Sequence, residues 1–260
     1  METQSLTLSP EEAKHYESQY RVIKRSVDAR QRDIKVMLTI LTDTDGHLVP
    51  KNAPIPLYEP PRFQDVHHAK EVYIVGAGPA GLFAALTLLE QGLKPIIFER
   101  GKDVSARKRD IARLCKNEGL NPESNYCFGE GGAGTFSDGK LFSRSKKRGD
   151  MQRVMELFHF FGAPDTVLYE AHAHVGSDLL PAIIRKMREC ILAHGGEIHF
   201  SEKWHFTKAN ASAAPVILAI GHSAHDTYRE LSLAGVTMEA KGCAMGVRVE
   251  HPQALINQLM

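Results

Sequence analysis

The chain has 260 residues, enough for one large domain or two modest ones, and we favour two. Its 32 basic and 31 acidic residues nearly cancel, so no global field favours nucleic acid or an anionic membrane as a partner. The sequence shows no membrane-length apolar run and no secretory signal, and its four cysteines are widely spaced. These features predict a cytoplasmic protein without a zinc or disulfide framework, and they leave its oligomeric state undetermined.

The first 50 residues predict a small α+β domain. Ser9 followed by Pro10 and Glu12 is typical of a helix start with a capping box. Residues 20–26 and 34–42 have the apolar and β-branched content of strands. Several prolines follow, so residues 51–69 are predicted to be a linker before a domain that covers residues 70–260.

Residues 71–101 predict a strand, a tight turn, a helix and a second strand. The first strand leads directly into the sequence GAGPAG at residues 76–81, which we call the glycine turn. An apolar helix and another strand follow, and the second strand ends in Glu99. This order is the fingerprint of a dinucleotide-binding fold and predicts an α/β class with a Rossmann-like parallel sheet.

Each glycine of this turn has a predicted physical role. Gly76 permits the tight turn, Gly78 lets the backbone approach a diphosphate, and Gly81 lets the helix pack against the strand. The helix N-terminus favours an anion through its N–H groups and its dipole. Glu99 is placed to accept hydrogen bonds from ribose hydroxyls, which favours FAD or NAD over NADP without choosing between the first two.

A second glycine-rich segment, residues 127–143, follows a helix predicted at residues 104–115, whose arginines we interpret as surface residues. We call this segment the glycine-rich loop. Its many glycines predict a backbone held tightly against another group, with exposed N–H groups that form an anion-binding nest. We expect this loop to fold over the same diphosphate as the glycine turn.

The remaining elements follow from apolar runs and glycine stops. His172 and His174 form an HxH pattern, but the sequence offers no convincing third ligand, so we predict a turn and no metal site. Residues 214–221 are predicted to form a buried strand in the same parallel sheet as residues 70–101. The other predicted elements are helices at 150–161, 178–194 (capped by Ser177 or Asp178) and 222–231, strands at 198–200 and 243–250, and a helix from His251.

Four motifs together resemble a family of FAD-dependent dehydrogenases among the two-dinucleotide-binding-domain flavoproteins, which share a glutathione-reductase-like fold. They are IKRSVDAR at 23–30, VGAGPAGLFAALTLLEQGLKPIIFERG at 75–101, GEGGAGTFSDGKL at 129–141, and ILAIGHSAHDTY at 217–228 followed by GVRVEHP at 246–252. The resemblance implies an FAD site on several short segments. The implied cofactor-binding residues are Gly76, Ala77, Gly78, Pro79, Ala80, Gly81, Glu99, Arg100, Gly131, Gly132, Gly134, Thr135, Ser137, Ala219, Ile220 and Gly221.

The chain departs from the family pattern in two ways. Ile220 stands where these flavoproteins commonly have threonine, which removes a side-chain hydrogen bond and leaves the backbone turn possible. Family members also continue well past the GVRVEHP segment, so the chain looks truncated, with an incomplete substrate part.

Three functions are compatible with these patterns. The first is an FAD-dependent oxidoreductase of unknown small-molecule substrate, with NAD(P)H as a possible electron donor or acceptor. The second is an NAD-dependent dehydrogenase that uses His222 or His251 as an acid or base, and the third is a truncated, non-catalytic nucleotide-binding module. Arg248, Glu250 and His251 form a polar cluster at a predicted strand end, but the sequence assigns no catalytic residue.

Overall fold

The strands of the protein form two separate sheets in a computed structural model. The structure describes residues 2–53, 58–136, 139–141, 149–206, 214–242, 246–247 and 249–259. Within these ranges one sheet has three antiparallel strands and the other has four parallel strands. The predicted α/β class, with a parallel sheet preceded by a small α+β unit, is therefore confirmed.

The antiparallel sheet has the order β1-β3-β2, with β1 at Glu2–Leu8, β2 at Val22–Asp28 and β3 at Lys35–Thr42. The second and third strands were predicted, but β1 was not. Its only apolar side chains are Leu6 and Leu8, so the sequence lacks an apolar alternation there. Pairing with β3 along its whole length makes this polar segment a strand.

Helix α1 (Pro10–Gln19) packs on this sheet through the buried side chain of Ala13. The capping box predicted at its start is confirmed. The Ser9 hydroxyl accepts a hydrogen bond from the Glu12 N–H at 3.3 Å, and the Glu12 carboxylate accepts one from the Ser9 N–H at 2.9 Å. Such caps typically stabilise a helix by about 1 kcal/mol, so local sequence fixes where α1 begins.

The parallel sheet has the order β6-β5-β4-β7. Its strands are β4 (Glu71–Val75), β5 (Lys94–Glu99), β6 (Glu197–Phe200) and β7 (Val216–Leu218). Tyr73 of β4 pairs in parallel with Ile96 of β5 on one side and with Val216 of β7 on the other. The prediction that residues 70–101 and 214–221 share one parallel sheet is confirmed.

Among the described residues, six helices lie in the part of the chain that follows residue 70. They are α2 (Pro79–Glu90), α3 (Val104–Cys115), α4 (Met151–Phe160), α5 (Leu180–Ala193), α6 (His225–Leu233) and α7 (Gln253–Leu259), with a 3₁₀ turn at Asp165–Leu168. The core lies where α2 and α5 contact the sheet, with Leu86 and Met187 buried beside Ile97. No helix within the described ranges is long and apolar enough to cross a membrane.

Two predictions for the second half of the chain were wrong in detail. Helix α5 begins with Leu179 as its N-cap and has no side-chain cap, so neither Ser177 nor Asp178 caps it. Strand β7 is short, and Leu218 is 42% exposed rather than buried, because β7 pairs only with β4 among the described strands. An edge strand is covered on fewer sides than the buried strand that its apolar sequence predicted.

The strand predicted at residues 243–250 lies partly outside the described residues, as does Arg248 of the predicted polar cluster. The described positions 246, 247, 249 and 250 are not in a strand, and the side chains of Val247 and Val249 are exposed. The helix predicted from His251 is present and begins at Gln253.

Candidate functional site

The glycine turn lies between the ends of β4 and β7 and the start of α2. Gly76 has a φ of +106°, and a Cβ placed on it would lie 2.5 Å from the Ala219 carbonyl oxygen. A Cβ on Gly81 would lie only 1.9 Å from the Gly76 carbonyl oxygen. The turn and packing roles predicted for these two glycines follow from this geometry, since any side chain would force main chain apart.

The N-terminus of α2 faces a cavity at the carboxyl ends of the strands. Gly78 is its N-cap residue and supplies no side-chain cap, Pro79 occupies the first turn, and Ala80 is exposed. The first turn carries no acidic residue. The positive end of the helix dipole is therefore available to an anion in the cavity.

Glu99 is 5% exposed and joins three main-chain segments. Its Oε2 accepts a hydrogen bond from the Ala77 N–H at 2.8 Å, and its Oε1 accepts from Gly101 at 2.8 Å and from Gly129 at 3.0 Å. An ionised carboxylate has about four acceptor positions. Glu99 therefore uses three of them inside the protein and has one more to offer at the cavity wall.

The glycine-rich loop folds back onto the glycine turn. The Gly131 N–H donates to the Ala77 carbonyl oxygen at 2.8 Å. A Cβ on Gly132 would lie 2.8 Å from Pro79 Cδ and 3.3 Å from Gly78 Cα. The predicted convergence of the two glycine-rich segments is thus present, and it is a contact of backbone against backbone.

The predicted anion nest in this loop is wrong for most of the described loop. Seven of its described amides donate to protein acceptors rather than to the cavity, and these bonds hold the loop in place. The donors and acceptors are Cys127 to Asn125 Oδ1, Gly129 to Glu99 Oε1, Glu130 to Lys102 O, Gly131 to Ala77 O, Gly132 to Gly129 O, Thr135 to Gly132 O and Leu141 to Ala173 O. The α2 N-terminus, rather than these bonded loop amides, offers first-turn N–H groups toward the cavity.

Arg107 holds the glycine-rich loop by hydrogen bonds, although the arginines of its helix were predicted to be surface residues. The side chain is fully buried and donates to the main-chain carbonyls of Asn125, Tyr126, Gly129, Glu130 and Gly132. Burial lowers the pKa of Arg107 to about 10, so it remains charged at neutral pH. The sequence signal for this burial was the position of Arg107 on the same helix face as the apolar residues Val104 and Ile111, which are also buried.

Glu130 is a second buried charged residue, and it belongs to the loop itself. Its Oε2 accepts hydrogen bonds from the Val104 N–H at 2.6 Å and from Arg188 Nη1 at 2.9 Å. Burial raises the pKa of Glu130 to about 7 in spite of these partners, because desolvation disfavours the charged carboxylate. The loop therefore rests on side chains from α3 and α5.

These elements surround a cavity of about 450 Å³, within the size range of ligand pockets. It lies outside the carboxyl ends of β4, β5 and β7, where open α/β sheets bind ligands. The predicted site residues that line it are Gly76, Gly78, Pro79, Ala80, Glu99, Arg100, Gly132, Ala219, Ile220 and Gly221. Other predicted residues lie outside its wall, namely Ala77, Gly81, Gly131, Gly134 and Thr135, and Ser137 lies outside the described residues.

Several cavity residues were not predicted from the sequence. Phe128 lies beneath Arg100, with the guanidinium carbon 4.1 Å from the ring centre. Trp204 is buried at the wall, and the Tyr228 hydroxyl donates to the Gly221 carbonyl oxygen at 2.7 Å. The single tryptophan of the chain, four residues after the end of β6, was a signal that could have been used, since strand ends in such sheets line ligand sites.

Charges at the Glu99 end of the cavity are paired with one another. Arg100 forms ion pairs with Glu123 at 2.6 Å and Asp226 at 2.9 Å, and these carboxylates raise the pKa of Arg100. Lys203 pairs with Asp226 at 2.9 Å and Glu230 at 3.2 Å. Both cations are therefore already engaged by protein carboxylates.

Two histidine patterns bear on the metal prediction. His174 belongs to an isolated bridge with Lys140, in the turn region expected for the HxH segment. Among the described residues, Asp43, Asp45 and His47 bring possible ligand atoms within 4.8 Å of one another. They lie in a turn whose geometry is explained by hydrogen bonds from the Asp45 and His47 amides to the Asp43 carboxylate.

The comparisons with known proteins agree with the site. Residues 74–129 match the family model of the NAD(P)-binding Rossmann-like domain, and residues 3–42 match a domain of unknown function (DUF8436). An uncharacterized protein of Clostridium beijerinckii is 41% identical over 263 residues, which cover 92% of this chain and 49% of that protein. The chain thus spans about half the length of this relative. The fold, the glycine turn and the family match define a nucleotide-binding domain of the oxidoreductase type.

Proposed function

We propose that the chain is the dinucleotide-binding part of an FAD-dependent oxidoreductase that acts on a small molecule. The observation that carries the proposal is the cavity that unites the α2 N-terminus with Glu99. One end of this cavity suits a diphosphate and the other has a carboxylate acceptor for ribose hydroxyls. FAD rather than NAD is favoured by the resemblance to FAD-dependent dehydrogenases in the four sequence motifs.

The charge pattern supports a nucleotide without a 2′-phosphate. Glu99 lies in the wall, and the neighbouring cations Arg100 and Lys203 are paired with Glu123, Asp226 and Glu230. A 2′-phosphate would bring about two more negative charges beside these carboxylates. We therefore expect weaker binding of NADP than of FAD or NAD.

NAD is the second candidate. The match to an NAD(P)-binding domain favours it, and His222 lies in the cavity wall where it could exchange a proton with a bound substrate. His251, the other histidine considered from the sequence, is not among the cavity residues.

The direct test is the absorption spectrum of the purified protein, followed by titration of nucleotide-stripped protein with FAD, NAD and NADP. A flavin spectrum, or FAD binding at least about tenfold tighter than NAD, would support the leading proposal. NAD binding without FAD binding would favour the second candidate. Binding of none of the three nucleotides would overturn both.

Ala80 offers a matched pair of control variants for the same titration. Its side chain is exposed at the cavity wall in the first turn of α2. Ala80→Asp adds a negative charge beside the expected diphosphate. The aspartate should not destabilise α2 itself, because acidic side chains are favourable at a helix N-terminus. Ala80→Asn has nearly the same shape without the charge. We expect the aspartate variant alone to lose about tenfold or more in affinity, and equal affinities would place the diphosphate elsewhere.

A further inference from the structure

The guanidinium of Arg107 forms hydrogen bonds with main-chain carbonyl oxygens rather than a simple ion pair. Its Nε donates to Asn125 O at 2.9 Å, its Nη2 to Tyr126 O at 3.1 Å, and its Nη1 to Glu130 O at 2.7 Å and Gly132 O at 2.8 Å. Carbonyl oxygens gathered around one point repel one another unless a cation lies between them. The backbone path of residues 125–132 therefore depends on this charge.

Arginine is suited to this position in a way that lysine is not. Arg107 uses all three guanidinium nitrogens toward carbonyls in different directions. Lysine has three donors on one nitrogen, so it cannot span the same set of acceptors. Its compact ammonium also holds water more strongly, which makes burial at a site with 0% exposure costlier.

The backbone segment held by Arg107 contacts the cavity wall or the glycine turn at three points. The Gly129 N–H donates to Glu99 at 3.0 Å, and the Gly131 N–H donates to Ala77 O at 2.8 Å. Gly132 lies in the cavity wall beside Pro79, at the start of α2. A shift of the segment would therefore move Glu99, the glycine turn and the wall together.

We infer that Arg107 is the positioning residue of the dinucleotide site. It fixes the carbonyls of residues 125–132 on one side, and the opposite side of the same segment then holds Glu99 and the glycine turn in binding geometry. Arg107 is not a cavity residue, so it would affect a bound nucleotide only through the positions of these groups. This inference rests on the proposed function and extends it to a residue outside the cavity.

The test compares Arg107→Lys and Arg107→Ala with Arg109→Ala, a change at an exposed arginine of the same helix. FAD affinity is measured by titration of nucleotide-stripped protein, and hydrogen exchange of residues 125–132 is measured without nucleotide. We expect both Arg107 variants to lose about tenfold or more in affinity and to exchange faster in this segment. Arg109→Ala should match wild type in both measurements.

Chemical rescue separates positioning from general stability. Guanidinium ion, added to Arg107→Ala below the concentration that destabilises wild type, should restore part of the affinity and of the exchange protection, whereas ammonium should not. Wild-type affinity in Arg107→Lys, or unfolded Arg107 variants that guanidinium does not restore, would overturn the inference. If wild type itself binds no dinucleotide, the proposed function fails and the positioning role fails with it.

Discussion

The two glycine-rich segments meet at one cavity but have different physical origins. In the glycine turn, the atoms that crowd Gly76 and Gly81 are main-chain atoms of Ala219 and of Gly76 itself. In the glycine-rich loop, the atoms that crowd Gly129 and Gly131 belong to the side chains of Arg107, Thr135 and Ile184. The first segment is crowded by backbone, whereas the second is crowded by side chains at Gly129 and Gly131 and by the Val175 backbone at Gly139.

The two segments differ in how far their glycine pattern can be interpreted. The glycine turn needs glycine because strand and helix must touch there in every fold of this type, so the spacing indicates the turn itself. At Gly129 and Gly131 the glycine-rich loop needs glycine because the side chains of Arg107, Thr135 and Ile184 occupy the space. Substitutions in both segments and at the buried carboxylates beside them test this distinction.

Gly81→Ala should have the largest effect. Its Cβ would lie 1.9 Å from the Gly76 carbonyl oxygen, and main chain cannot rotate away as a side chain can. We expect a loss of about 3 kcal/mol or more in the free energy of unfolding, measured with urea. A loss below about 1 kcal/mol would show that α2 can move away from β4 and would contradict the backbone origin of this contact.

Glu99→Ala should weaken both the fold and nucleotide binding. The sequence alone predicts a binding role only, but the structure adds three amide partners that would lose their acceptor. We expect about 3 kcal/mol less stability, because each unpaired buried donor costs about 1 kcal/mol or more. Glu99→Gln keeps one acceptor oxygen, so its stability should lie between that of wild type and that of Glu99→Ala. If Glu99→Ala were as stable as wild type, the structural role of Glu99 as the acceptor for these three amides would be contradicted.

Glu130 should make the stability of the glycine-rich loop depend on pH. Its folded pKa is raised from 4.5 to about 7, so the fold favours the protonated form. This contribution is fully present below pH 4.5 and is lost as pH rises through about 7. We expect wild type to lose about 2 kcal/mol relative to Glu130→Gln across that window, measured by urea unfolding at several pH values. If the stability of wild type and of Glu130→Gln changed with pH in the same way, Glu130 would not be the source of this pH dependence.

Gly131→Ala and Gly134→Ala form a matched pair within the loop. Gly131 has a φ of +83°, and a Cβ there would lie 2.2 Å from Thr135 Oγ1 and 2.5 Å from Ile184 Cδ1, so we expect a loss of about 2 kcal/mol. Gly134 has nothing within 4 Å of that position, so its substitution should change stability by less than about 0.5 kcal/mol.

The double variant Gly131→Ala/Ile184→Val sharpens this comparison. Removing the Ile184 Cδ1 methyl relieves one of the two close contacts, so the second substitution should cost less in the Gly131→Ala background than in wild type. Simple additivity of the two losses, measured by urea unfolding, would show that side-chain crowding is not the cause. A large effect of Gly134→Ala would point to a contact other than those that crowd Gly131.

Local sequence predicts the features that depend on residues close together in the chain. These include the capping box at Ser9, the order of strand, turn and helix from residue 71 to 99, and the strand with its following glycine at 214–221. They are predictable because capping, hydrophobic periodicity and the φ freedom of glycine act locally.

The roles of Arg107, Glu130 and Trp204 depend on tertiary contacts that the local sequence does not indicate. An arginine in a basic helix is usually solvated, and Arg107 becomes the centre of the loop only because carbonyls from residues 125–132 surround it. Glu130 acquires its partners from α3 and α5, and Trp204 reaches the cavity from the end of β6. Their burial depends on which segments meet in space, and local sequence does not carry that information.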